Sequence, residues 1–142
     1  MKVSEILERK GSKVWTIGAT DTILEALELM AEKRIGALVV AEEAVPIGIF
    51  SERDYARKVV LRGRSSRTSQ VSEVMTSDPC CIPPERTAEE CMALMTQKRI
   101  RHLPVVVERR LVGIISIGDV VKTVLADREF AIQQLESYIS GG

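Results

Sequence analysis

Two short stretches hold the residue types that could do chemistry: Gly48-Ile49-Phe50-Ser51-Glu52-Arg53-Asp54 and Gly113-Ile114-Ile115-Ser116-Ile117-Gly118-Asp119. In each, an apolar run ends at a serine and an aspartate follows three residues later. Ser-x-x-Asp is a good helix start, with serine as N-cap and aspartate near the positive end of the helix dipole. The same geometry also suits a ribose phosphate. Free amides at a helix N-terminus and a serine hydroxyl can hold phosphate, and a carboxylate can accept both ribose hydroxyls. The spacing alone does not choose between these readings.

Further candidates are scattered. Arg101 and His102, the latter the only histidine, precede Leu103-Pro104-Val105. Between Arg57 and Arg67 lie five basic residues and no acidic one, which read as a solvated helix end and loop or as a flap over phosphates with Ser65 and Ser66. The lone histidine has no partners for a metal, and Cys80, Cys81 and Cys91 have neither metal-ligand nor disulfide spacing. Neither a GxxxxGK[ST] loop nor a GxGxxG loop occurs, nor does a Cys/His or Ser/His constellation. The expectation is a binding protein with no catalytic residue and no metal site. Trp15 reads as a core or dimer contact.

These residues sit in a duplicated frame. A shift of 65 aligns Ile17–Val60 with Ile82–Leu125 without a gap, with sixteen identities in 44 positions. The leading Val3-Ser4-Glu5-Ile6-Leu7 echoes Val71-Ser72-Glu73-Val74-Met75 at a shift of 68. Each copy predicts a short strand (Val14–Ile17, Cys80–Ile82), then a helix opened by the capping boxes Thr22-x-x-Glu25 and Thr87-x-x-Glu90. Ile23, Ala26, Leu27 and Met30 form its apolar face in the first copy, and Cys91, Leu94 and Met95 in the second. Two apolar, β-branched strands follow (Ala37–Ala41 and Ile47–Phe50; Leu103–Val107 and Leu111–Ile115), then a second helix after Ser51 and Ser116. The last helix is expected to run to the C-terminus. The fold class is α/β (α+β): two pseudo-symmetric β-α-β-β-α motifs packed sheet to sheet. A unit of about 60 residues buries too little surface to be safe alone, so the two are expected to share one core. The divisions are 1–62, a linker loop at 63–70, 71–126, and a helical tail at 127–142.

Composition narrows the class. The 142 residues carry 20 basic and 20 acidic side chains, so there is no overall basic field to attract nucleic acid. Aromatics at 4% leave few platforms for base stacking. An apolar share of 45% supports a folded core, and no apolar run is long enough to span a bilayer. Met1-Lys2-Val3-Ser4-Glu5 lacks a secretory signal's apolar stretch, so a cytoplasmic protein without membrane contact is expected.

The duplicated unit resembles the cystathionine-β-synthase (CBS) domain, and the chain as a whole resembles a stand-alone CBS pair, or Bateman module. The resemblance rests on Gly-h-h-Ser-x-x-Asp (h, apolar) in both copies, Lys-Arg-Ile-Arg-His-Leu-Pro-Val at 98–105 and Val-Ser-Glu-Val-Met-Thr at 71–76, and it covers residues 1–126. It implies a regulatory module that binds adenine nucleotides in clefts between its motifs. AMP comes first among the ligands, with ADP, ATP and NAD(P)H as alternatives. It implies ribose contacts from Asp54 and Asp119, and phosphate contacts from Ser51 and Ser116. Base contacts would come from Thr16 and Asp21 in one cleft and from Cys81 and Arg86 in the other. Arg101 and His102 match the family's basic pair facing the phosphates. The first copy has Gly36-Ala37 in place of that pair, and Arg53 is matched by Gly118, so the clefts are not equivalent. The resemblance also implies a homodimer that signals through shape or association, to itself or to an effector protein. The alternative is a structural dimerisation module with vestigial clefts.

Overall fold

The computed structural model describes residues 1–140. Helix α1 (Val3–Lys10) leads to a short β1 (Thr16–Ile17) and to α2 (Ile23–Lys33), whose N-cap Thr22 accepts from the Glu25 amide. The hairpin β2 (Ala37–Glu42) and β3 (Val45–Ser51) follows. After it come α3 (Glu52–Asp54), continuing as a π-helical segment over Tyr55–Val60, and a 3-10 turn at Val71–Glu73. The second copy supplies β4 (Thr76–Ser77), α4 (Ala88–Lys98), β5 (His102–Val107), β6 (Arg110–Ser116) and α5 (Ile117–Ile139). The expected strand at Cys80–Ile82 is reduced to one parallel bridge between Ile82 and Val105. Proline at 79, 83 and 84 removes amide donors around it.

Helix ends follow the sequence. Thr87 and Glu90 exchange both capping-box bonds, whereas at α2 only the Thr22 hydroxyl bond forms; the next amide, that of Ile23, donates to the Ser69 carbonyl. Both α2 and α4 stop at an arginine in the left-handed conformation, Arg34 and Arg99 (φ 55° in each). The buried faces carry Ile23, Ala26 and Met30 on α2, and Ala88, Cys91 and Met95 on α4.

The two leading segments are exchanged between the halves. The amides of Val3 and Ser4 donate to the carbonyls of Arg86 and Pro84 at 2.8 and 3.0 Å. The equivalent amides, Val71 and Ser72, donate to Asp21 and Ala19 at 2.9 and 3.0 Å. Segment β4 pairs antiparallel with β3, giving a four-stranded sheet β1-β2-β3-β4 beside the β5-β6 pair. Burial therefore forms two clusters instead of the one shared core expected from the small size of each copy. In the first cluster Val71 and Val74 pack with Ile23, Leu38 and Phe50, and in the second Val3, Ile6 and Leu7 pack with Met95, Leu103, Ile115 and Val120. Neither cluster is complete without side chains from the other half. The exchange gives the structural reason for Gly48 and Gly113. A Cβ on Gly48 would stand 2.6 Å from Met75 Sδ, and one on Gly113 would stand 2.7 Å from a Leu7 methyl.

Candidate functional site

The end of β3, the start of α3 and the start of β5 surround a cavity of about 420 Å3. Ser51, Arg53 and Asp54 reach it from the first copy, and Arg101 and His102 from the second. Asp78, Pro79 and Cys80, on the chain leaving β4, line it as well. Local structure explains the placement. Ser51 ends the strand as N-cap, with its hydroxyl accepting from the Asp54 amide at 3.2 Å and donating to Asp54 Oδ2 at 3.0 Å. The Glu52 amide donates to Gly36 O, and in the second copy the Ile117 amide donates to Arg101 O. Each helix start is thereby tied to the opening of the neighbouring strand, which sets Arg101 and His102 at the cavity wall.

Asp54 is 6% exposed and fully engaged. Its Oδ2 also accepts from the Ser51 amide at 3.0 Å, and its Oδ1 accepts from Thr76 Oγ1 at 3.2 Å and pairs with Lys58 at 3.2 Å. Asp54 is thus a capping carboxylate that also forms part of a cavity wall. The cavity offers four cations (Arg53, Lys98, Arg99 and Arg101) against the carboxylates Glu52, Asp54 and Asp78. Burial, with Lys10 and Arg101 nearby, pushes the His102 imidazole below its ordinary range, against a weaker pull from Asp119.

The pseudo-symmetric position is arranged differently. Ser116 and Asp119 form the same capping pair, with the Ser116 amide donating to Asp119 Oδ2 at 2.9 Å. There Lys10 Nζ also donates to Asp119 Oδ2 at 2.7 Å and to Ile114 O at 2.9 Å. Burial raises the Asp119 carboxyl, but the Lys10 and Ser116 contacts outweigh it and hold the group below the usual carboxylate range. At the repeat shift of 68, Lys10 corresponds to Asp78. Lys10 therefore closes on Asp119 in one half, where the equivalent residue of the other half, Asp78, is a carboxylate at the cavity wall.

Ser116 and Asp119 lie outside the 420 Å3 cavity, as do Thr16, Asp21, Cys81 and Arg86. Thr16 pairs with Val39 in the sheet, and Asp21 caps its own loop by accepting from the Gly18 amide at 2.8 Å. Cys81 Sγ lies 3.5 Å from Pro79 O. Arg86 pairs with Glu90 at 2.9 Å, beside a separate groove of about 240 Å3 on α4. The basic run between Arg57 and Arg67 lines the cavity with none of its members. Its loop covers the start of α2 instead, where the Leu24 amide donates to Ser66 O. Trp15 packs against the first cluster, with the ammonium groups of Lys13 and Lys33 over its ring, 4.5 and 4.1 Å from the ring centre. Sequence reasoning passed over Thr76, Asp78, Cys80, Lys98 and Arg99. For Lys98 and Arg99 a signal existed, because Lys-Arg-Ile recurs in both copies.

The sequence model of the CBS domain matches residues 3–61 and 71–126. The chain belongs to the CBS domain family. It is 38% identical over 149 residues to the mitochondrial CBS domain-containing protein CBSX3 of Arabidopsis thaliana, covering 99% of this chain and 72% of that one. A protein with CBS domains from Burkholderia ambifaria MC40-6 superposes with a TM-score of 0.84 at 48% identity, covering 89% of this chain and 96% of that one. The CBS pair of protein MJ0100, solved in complex with 5′-methylthioadenosine and S-adenosyl-L-methionine, shares the fold with a TM-score of 0.79 at 22% identity, covering 89% of this chain and 98% of that one. This protein carries a CBS pair, a regulatory module with two β-α-β-β-α repeats. No helix among its described residues is long and apolar enough to cross a membrane.

Proposed function

We propose that this CBS pair senses an adenine nucleotide in the cavity between its two repeats, with AMP the first candidate and ADP, ATP or NAD(P)H the alternatives. The observation that carries the reading is the meeting of Ser51, Arg53 and Asp54 from one repeat with Arg101 and His102 from the other around one cavity. Four cations at its wall suit phosphate; Asp78 is a carboxylate that ribose hydroxyls can reach, and Asp54 would serve them by exchanging its Thr76 and Lys58 contacts. The adenosyl ligands of the MJ0100 pair support the ligand class. The cavity gathers Ser51 and Asp54 but not Ser116 or Asp119, so we assign one nucleotide per chain, in the Asp54 cavity. The protein acts without catalysis.

Signalling follows from the crossed architecture. A ligand touching both repeats favours one relative orientation of the halves, by no more than its difference in affinity for the two states. That change is read by a second copy or by an effector protein. A second reading, a structural dimerisation module, draws on the full engagement of Asp54 by Ser51, Thr76 and Lys58.

Thermal denaturation separates the two. A ligand at one hundred times its Kd adds about 2.7 kcal/mol to the folded state, which is roughly 10 °C of Tm for a chain of this size. Arg101→Ala should abolish most of the shift produced by AMP or ATP and leave the unliganded Tm in place. If millimolar adenine nucleotides leave the wild-type midpoint unmoved, the structural reading stands.

A further inference from the structure

Beyond Asp127, which pairs with the Met1 ammonium, helix α5 leaves the body of the protein, and every residue from Arg128 to Ser140 is exposed. A free-standing helix of that length is marginal in water. This one also carries an apolar stripe. Val121, Leu125, Ile132, Leu135 and Ile139 are 40, 61, 56, 60 and 75% exposed, and their positions alternate by three and four once Arg128 is counted. That spacing is the seam of a coiled coil. At 100° per residue the seam lies roughly 80° around the helix from Val120 and Val124, the residues that bury α5 against the second cluster. Most of it lies past residue 126, where the match to the CBS domain ends.

We propose that this seam pairs with the same seam of a second copy of the chain, in antiparallel orientation. Charge selects the partner and its direction. In register about position 130, Leu125 packs on Leu135 of the second copy and Val121 on Ile139. Arg128 then reaches the second copy's Glu129, and Lys122 stands beside its Glu136. All four charged side chains are exposed, and none joins an ion pair among the described residues. A parallel pair would instead set Arg128 against Arg128 in the seam and leave Lys122 and Glu136 fourteen positions apart along it. Phe130 lies on the opposite side of the helix and takes no part. The inference concerns association alone and does not rest on the nucleotide reading.

Sedimentation equilibrium of the full chain tests it. Ile132→Lys with Leu135→Lys replaces two exposed side chains, so circular dichroism and Tm of the body should hold while the association falls by one step, with its constant weakened at least 100-fold. Lys122→Glu alone should weaken association several-fold, and adding Glu136→Lys should restore it, because in the antiparallel pair these residues are neighbours. An unchanged mass for Ile132→Lys/Leu135→Lys overturns the seam. Failure of Glu136→Lys to rescue Lys122→Glu overturns the antiparallel arrangement.

Discussion

Replacing Gly48 or Gly113 with alanine adds one methyl group where the exchanged leading segments press on the sheet. At Gly113 the new carbon would lie 2.7 and 2.8 Å from the two methyls of Leu7 and 3.3 Å from its Cγ. Carbon atoms prefer 3.5–4.0 Å, so Leu7 must retreat by about 1 Å within a closed cluster. Leu7 is a side chain and can rotate, which places the cost within the usual overpacking range, about 1–2 kcal/mol. At Gly48 the new carbon would meet Met75 Sδ at 2.6 Å and, more stubbornly, the Thr76 carbonyl oxygen at 3.0 Å. That carbonyl belongs to the β3–β4 pairing and cannot rotate away, so about 2–3 kcal/mol is expected there. Urea denaturation followed by circular dichroism and by Trp15, the only tryptophan, reads both. At an m-value of about 2 kcal/mol/M the midpoints should fall by roughly 0.5–1 M for Gly113→Ala and by 1–1.5 M for Gly48→Ala. Leu7→Ala alone should cost about 2–5 kcal/mol. In the Gly113→Ala background it should cost at least about 1 kcal/mol less, because the added methyl fills part of the space that Leu7 vacates. Glycine variants within about 0.3 kcal/mol of wild type, or strict additivity of Leu7→Ala with Gly113→Ala, would refute the account of crossed packing.

Two further outcomes follow from the Asp119 and His102 environments. The lowered carboxyl of Asp119 adds stability above the ordinary aspartate range, about pH 4, and that stability is lost as pH falls through the folded value. Lys10→Met should therefore destabilise the protein at pH 7, by about 1 kcal/mol or less for a partly exposed pair, and shrink the difference between pH 7 and pH 3 in urea titrations. An unchanged pH profile in Lys10→Met would show that the pair does not set it. His102 should be neutral at pH 7, because burial, Lys10 and Arg101 all hold its imidazole below the ordinary value. An NMR titration of this single histidine should give a midpoint below 6.5 without ligand and a higher one with AMP bound; a ligand-free midpoint at or above 6.5 would contradict the packing around it.

Much of the architecture was legible in the chain. The shift of 65 located both copies, the threonine caps located the starts of α2 and α4, and the apolar strands fell within a residue or two of their observed ends. The site was legible in part. Ser51, Arg53, Asp54, Arg101 and His102 meet at one cavity, but Asp78 and Cys80 do too, while Thr16, Asp21 and Cys81 lie elsewhere. Periodicity reports which face of an element is apolar and is silent on which distant loop closes over it. Asp21 illustrates the limit: the family resemblance points to it for base contact, and no local pattern shows that its carbonyl holds Val71 and its carboxylate caps its own turn.

By itself, the sequence determined the duplication, the β-α-β-β-α order, the capped helix starts and the Ser-x-x-Asp pairs, because each depends on neighbours within a few residues or on a repeat visible by alignment. Only the tertiary structure decided that the leading segments cross over, so that Leu7 completes the second cluster and Val71 the first. Only it decided that Lys10 closes on Asp119 across 109 positions, while the equivalent Asp78 lines an open cavity. These are pairings between residues far apart in the chain, chosen by how whole surfaces fit and where charges come to rest, and no local pattern encodes them.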